Sequence, residues 1–337
     1  MQTTDLWLAD PGARDWTCPP APSAAAAFHA GLPDHRPTAL RDLPVLAAGL
    51  GVRRVLVKDE SARFGLPAFK ALGVSYAIHR VLGEWTGRPG PELVAATDGN
   101  HGRAVAAFAR RLGLRAHVVV PATVDPRAVA AIRAEDAAVT VLDGDYDEAV
   151  RRAAADADSR PGAVLVQDTA WPGYTRIPQW IVDGYSTLLV EVDAQLAALG
   201  EPDPTLVVTP MGVGSLAQAV VTHYRSRPAG TALLGVEADT AACVRASLVA
   251  GRLRTVATGT TFMDGLNCGT PSALAWPYLR DGLDAVVGAS DTQSADAVRD
   301  LAAVGVPVGA CGAASLAAVR ALPDAARLRL GLTAGST

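Results

Sequence analysis

An α/β fold, with parallel sheets flanked by helices, is what this 337-residue sequence predicts. Three observations predict it. Short β-branched apolar runs alternate with amphipathic helical stretches from about residue 53 onward. The turns between a run and the helix after it carry glycines and reactive side chains, where α/β folds hold their ligands. Half of the residues are hydrophobic and 19% are charged, at a length that allows a large core and two domains.

Each element has its own justification. Residues 1–36 are rich in Pro, Ala and Asp and read as an irregular arm. A helix over 40–50 would end at Gly51. Strands are expected at 53–57, 93–97, 116–120, 138–142 and 164–166. The helices between them are expected at 71–85, 101–112, 126–135 and 146–157, with Pro126 at a helix start and Gly113 past a helix end. Aromatics and glycines break the rhythm over 171–185, and a helix then runs to Leu199. After a linker over 200–204 come strand 206–209, a glycine loop and helix 216–225. Strand 232–236, helix 241–250 and a less regular piece over 254–271 follow. The chain closes on strand 285–287, helices 294–303 and 312–321, and strand 328–332.

Composition excludes several function classes. Net charge is −4 without a basic cluster, which argues against nucleic acid as a partner. The first five residues lack the basic start and apolar run of a signal peptide. The uncharged stretch 204–224 is broken by Pro210, Gly212 and Gly214, so it reads as a buried strand-loop-helix and not as a membrane span. Cys18, Cys243, Cys268 and Cys311 show no CxxC spacing, and no ligand cluster supports a metal site. A cytoplasmic protein is expected.

Four stretches carry chemistry-bearing residues. Lys70 follows Phe69 at the mouth of a strand-loop-helix unit. It is either a solvated lysine at a helix start or an amine able to lose its proton and form a Schiff base. Thr97, Asp98, Gly99, Asn100, His101 and Gly102 bridge a strand and a helix, where Asp98 or Asn100 could equally be a helix cap. Gly212, Val213, Gly214 and Ser215 form a glycine turn ahead of a helix. It is neither a Walker loop nor a full GxGxxG, and it suits a small phosphate group. Gln167, Asp168, Thr169, Trp171 and Tyr174 put an acid and two aromatics after a buried strand, as a site or as a packed loop with a capping Asp.

In this order and spacing, the Phe-Lys pair, the Asp-Gly-Asn-His-Gly turn, the glycine loop and a late Thr resemble the fold-type II pyridoxal phosphate enzymes, the tryptophan-synthase-β-like group. The longer runs Lys58-Asp59-Glu60-Ser61, Arg63-Phe64-Gly65-Leu66, Ala68-Phe69-Lys70, Gln167-Asp168-Thr169, Gly173-Tyr174, Ile177-Pro178, Gly184-Tyr185, Val236-Glu237 and Gly265-Leu266 resemble diaminopropionate ammonia-lyases. The likeness runs from about residue 35 to the end. It implies that Lys70 holds pyridoxal 5'-phosphate as a Schiff base. Asn100 would bond the ring oxygen, the amides of Gly212, Val213, Gly214 and Ser215 would bind the phosphate, Phe69 would line the ring, and Thr333 would face the pyridine nitrogen. His101 would pack near the cofactor. It also implies a small inserted domain, 73–186, within a large domain made of 1–72 and 187–337, and a homodimer.

Chemistry adds to this. Ammonia elimination from a 2,3-diamino acid needs the Cα proton removed and the β-nitrogen released, and the cofactor supplies the electron sink. Lys70 could serve one face and Asp98 the other, while Asp98 and Asp168 could pair with the β-ammonium. The expected product is aminoacrylate, which hydrolyses to pyruvate and ammonia. The sequence departs from the family at Pro67, at Gly309-Ala310-Cys311-Gly312-Ala313, where a glutamate is missing, and at Thr333-Ala334-Gly335-Ser336-Thr337, which lacks two acids. Readings left open are β-replacement, serine or threonine dehydration, and a non-catalytic paralogue. Cysteines also stand in the family at the places of Cys243 and Cys268, and the resemblance raises the idea of a disulfide between them.

Overall fold

Strands and helices alternate through the chain, but the strands separate into two four-stranded sheets and a two-stranded ribbon. The computed structural model describes residues 6–228 and 230–337.

The arm expected to be irregular holds β1 (Leu6–Leu8), a 3-10 turn and α1 (Ala24–Ala30). Its first five residues lie outside the described ones. β1 is three residues long and acquires its form only by pairing with a distant strand, so no local periodicity announces it. The helix expected over 40–50 splits. β2 (Leu40–Asp42) precedes α2 (Pro44–Leu50), because proline opens a helix readily and pushes the residue before it into extended backbone. Gly51 closes α2 with φ +66°. β3 (Leu56–Lys58) pairs antiparallel with β2 and begins later than expected. The amides of Arg53 and Arg54 go instead to the carbonyl of Ser336.

The first large sheet lies within residues 92–165. α3 (Lys70–Glu84) leads to β4 (Glu92–Ala96), α4 (Asn100–Arg111), β5 (Arg115–Pro121), α5 (Pro126–Arg133), β6 (Ala138–Leu142), α6 (Tyr146–Ser159) and β7 (Ala163–Leu165). The strand order is β6-β5-β4-β7, all parallel. β4 and β5 are almost wholly buried apolar runs, as central parallel strands are. Asp145 and Glu148 form a capping box at the start of α6, and Asp125 caps α5 ahead of Pro126.

α7 (Arg176–Ala198) then crosses back and packs along α3. β8 (Leu206–Pro210), α8 (Ser215–Arg225), β9 (Ala232–Ala238), α9 (Cys243–Ala250), α10 (Trp276–Gly282), β10 (Ala285–Ala289), α11 (Asp291–Ala303), α12 (Ala310–Ala321) and α13 (Asp324–Arg329) complete the chain. The second sheet has the order β1-β10-β9-β8, with β1 antiparallel at its edge. α10, with Pro277 in its first turn, falls in a part of the chain where no helix is expected.

The strand expected at 328–332 is not formed. Pro323 and Asp324 start α13, and Gly331 turns the chain at φ +80°. Leu330 and Leu332 are buried while Leu328 is 70% exposed, so the alternating leucines come from a helix end and not from a strand. Among the described residues, no helix is long and apolar enough to cross a membrane.

Candidate active site

Lys70 is the first residue of α3, directly after the loop that leaves β3. Its ammonium forms an ion pair with Asp168, three residues past β7, so the pair joins the α3 start to the edge of the first sheet. The Lys70 nitrogen lies 5.3 Å from the Phe69 ring centre and 5.9 Å from that of Tyr185. Burial alone would push this lysine down. Asp168 outweighs it, with Tyr185 adding, and holds the amine above its ordinary value. The pairing therefore keeps Lys70 charged, whereas burial by itself predicts a lysine that gives up its proton. Asp168 feels the converse: burial works to raise it, and Lys70 followed by His101 holds it below the usual carboxylate range.

The turn 97–102 is anchored by Thr97, whose hydroxyl accepts from the amides of Gly99 at 2.9 Å and Gly102 at 3.0 Å. Gly99, at φ +143°, is the residue before α4 and makes no side-chain cap. Neither Asp98 nor Asn100 is consumed as a cap. Asp98 has no cationic partner within ion-pair distance among the described residues. Burial raises its carboxyl well above the ordinary value, Asp264 and Asp168 add to this, and Lys70 opposes it. Asn100 is exposed at the start of α4. His101 is buried beside them, with Nε2 donating to the carbonyl of Val166 at 2.7 Å and Nδ1 3.8 Å from Asp168.

The glycine loop links β8 to α8. Gly214 has φ +96°, a conformation that side chains rarely adopt. A Cβ on Gly212 would stand 2.6 Å from the carbonyl oxygen of Gly265 and 2.9 Å from the Cys268 sulfur, so only glycine fits there. Among the described residues, none accepts a hydrogen bond from the amides of Gly212, Val213, Gly214 or Ser215. These free donors at a helix N-terminus make an anion cradle. The Ser215 hydroxyl donates to the carbonyl of Asp168 and so ties the cradle to the lysine's partner. A phosphate in the loop, an amine-reactive group at Lys70 and a flat apolar body against Phe69 fit what is present, and pyridoxal phosphate has all three.

Thr333 is not brought to this site. It sits in an exposed turn with Ser336, against Thr205 and Arg53 at the start of β8, while the glycine loop follows that strand's other end. The cause is α13: the chain winds where a strand would have carried Thr333 along the sheet. All four cysteines are free thiols. Cys268 packs under Gly212, and the Cys243 thiol faces the carbonyl of Gly212 at 3.9 Å.

Two tyrosines at the site escape sequence reasoning. The Tyr146 hydroxyl accepts from Gln167 at 2.9 Å and lies 3.4 Å from Asp168, and Tyr185 backs Lys70. Tyr146 opens α6 outside any motif, and Tyr185 lies in the Gly184-Tyr185 run of α7, which by itself assigns no role. Trp171 and Tyr174, in contrast, stack on each other at 4.5 Å, with the Tyr174 hydroxyl bonded to Leu165 and Gln167, and they serve to brace the loop.

Residues 32–334 match the model of a family described as pyridoxal-phosphate dependent enzyme. The diaminopropionate ammonia-lyase of Salmonella typhimurium is 39% identical over 302 residues, covering 82% of this chain and 74% of that one. A crystal structure of Escherichia coli diaminopropionate ammonia-lyase, in complex with an aminoacrylate-PLP azomethine reaction intermediate, superposes with a TM-score of 0.88 at 34% identity. It covers 99% of this chain and 92% of that one. The same Escherichia coli enzyme in complex with D-serine gives the same TM-score of 0.88 at 33% identity and the same coverage.

Proposed function

This chain belongs to the pyridoxal-phosphate dependent enzyme family, and from that premise we propose that it removes ammonia from 2,3-diaminopropionate or a related 2,3-diamino acid. It is a lyase acting on a carbon–nitrogen bond, with pyridoxal 5'-phosphate as cofactor and a small amino acid as substrate. The aminoacrylate released hydrolyses to pyruvate and a second ammonia. The observation that carries the reading is a pair of acids at one site: buried Asp168 bound to Lys70, and half-buried Asp98 in the same cluster without a cationic partner within ion-pair distance. A substrate with a second ammonium group supplies that missing charge, which serine or threonine lacks.

When bound, pyridoxal phosphate supplies the electron sink for loss of the Cα proton. Lys70 holds it covalently, the amides of Gly212, Val213, Gly214 and Ser215 hold its phosphate, and Phe69 and Asn100 face its ring. Once released from that link, the Lys70 amine takes the Cα proton from one face of the substrate, and the Asp98 carboxylate takes it from the other. Asp168 pairs first with Lys70 and then with the β-ammonium that departs. Asp98 suits a base, because a carboxyl raised by burial accepts a proton more readily than an ordinary one. We further propose that 73–186 forms a small domain inserted between 1–72 and 187–337, whose closure excludes water from the aminoacrylate. A homodimer working in the cytoplasm completes the proposal, and the absence of paired cysteine spacings supports that compartment.

The test is pyruvate and ammonia release from cofactor-loaded protein given D- or L-2,3-diaminopropionate, L-serine or L-threonine. Two ammonia per pyruvate from a diaminopropionate isomer is the expected result. Asp98→Asn should lower turnover of the D-isomer by about 100-fold or more and spare the L-isomer. Turnover of serine or threonine alone would replace the lyase reading with a dehydratase.

A further inference from the structure

We infer that the Tyr185 hydroxyl is the second hydrogen-bond partner of the Lys70 amine, positioning it whenever Asp168 lets it go. The inference takes Lys70 to be the reactive lysine of the proposed lyase, and it adds a residue that no motif assigns. Tyr185 lies on α7 and is fully buried. Its ring stands edge-on to Phe69 with centres 5.0 Å apart, and the Lys70 nitrogen is 5.9 Å from its centre. Its hydroxyl makes no hydrogen bond of full geometry among the described residues, and Lys70 is the group close enough to act on it. Buried hydroxyls nearly always have a partner, and one without marks a place where a partner arrives.

The ring cannot move away to find one. A Cβ on Gly73 would stand 2.5 Å from its edge, so α3 already presses on it through a glycine. The group able to come is Lys70, whose flexible stem starts three residues before Gly73 on the same helix. In the structure the ammonium is held by Asp168. During turnover Asp168 is drawn to the substrate's departing ammonium, and the freed amine needs another anchor while it takes or returns a proton. A phenol can donate to a neutral amine and accept from an ammonium, so it serves both states. It does not act as the base: burial pushes the phenol above its ordinary value, and it stays protonated. The other charged or titratable groups that interact with Lys70 are Asp168, Cys268, Asp98 and His101, and His101 also acts on Asp168.

Tyr185→Phe removes the hydroxyl and keeps the ring packed against Phe69 and Gly73. The first readout uses Asp168→Asn protein without cofactor or substrate, in which the carboxylate no longer holds the amine: Lys70 is labelled with an amine reagent across a pH series, with and without Tyr185→Phe, and quantified by mass spectrometry. Loss of the hydroxyl should move the labelling midpoint to lower pH by about half a unit or more, since the charged amine loses a partner. In the loaded enzyme, kcat should fall roughly tenfold with KM unchanged, the pattern of an interaction that acts after binding. An unshifted midpoint together with unchanged kcat would overturn the inference. So would a variant that fails to fold or to take up cofactor, because Tyr185 would then be a packing residue. A shifted midpoint, with a parent protein that turns over neither diaminopropionate isomer, would uphold the inference while removing the lyase reading.

Discussion

In the proposed reaction Asp98 takes the Cα proton of the D-isomer, and its environment sets a pH dependence. As a base it must be ionised, and burial beside Asp264 and Asp168 moves its ionisation up from the ordinary carboxyl range. Turnover of the D-isomer should therefore rise with pH through that raised value, while the same limb should be missing from Asp98→Asn. A D-isomer profile of the same shape in parent and Asp98→Asn would show that another group takes the proton. Lys70, Asp98 and Asp168 were legible because each sits within a motif on the connection that follows a strand, where α/β folds display reactive side chains. Thr333 was misplaced because its position depends on whether the residues before it form a strand or a helix. Tyr185 was illegible as a site residue because it meets Lys70 only through the packing of two helices 100 residues apart in the chain.

Those two helices, α3 and α7, meet through glycines. A Cβ on Gly184 would stand 2.6 Å from the carbonyl oxygen of Leu72 and 2.7 Å from the Cα of Gly73. The helices therefore touch backbone to backbone, and the contact lies two residues from Lys70. Gly184→Ala should destabilise the fold by about 1–3 kcal/mol and weaken cofactor retention, measurable by urea unfolding and by the visible absorbance of the purified protein. Parent-like values in both would mean that the helices can separate freely. Elements with long apolar runs or strong caps were legible in the sequence, such as β4, β5, α5 and α6. The ones missed were β1, β2, α1 and α10, which are short, and α13, whose alternating leucines imitate a strand. In each, tertiary partners and not local periodicity decide the form.

Across the whole molecule, stability also depends on buried titratable groups that take no part in the proposed chemistry. His29 of α1 is fully buried, with Nδ1 accepting from the Thr187 hydroxyl at 2.7 Å and Nε2 3.0 Å from the carbonyl of Leu72. Burial lowers it from 6.5 to about 4. The unfolded chain thus gains a proton first as pH falls, and folding loses on the order of 3 kcal/mol between pH 6.5 and 4. Denaturant unfolding at pH 7 and pH 4 should show this loss reduced in His29→Gln. An equal loss in parent and variant would assign the acid sensitivity elsewhere.

β1 pairs with β10, Leu6 opposite Val287 and Leu8 opposite Ala285. β1 therefore waits for a partner strand made much later in synthesis. At roughly 5–20 residues per second the wait is tens of seconds. The 92–165 sheet is complete well before then and can fold on the emerging chain. The cofactor cradle, by contrast, belongs to the sheet that contains β10, so pyridoxal phosphate meets a formed site only after β10 has been made.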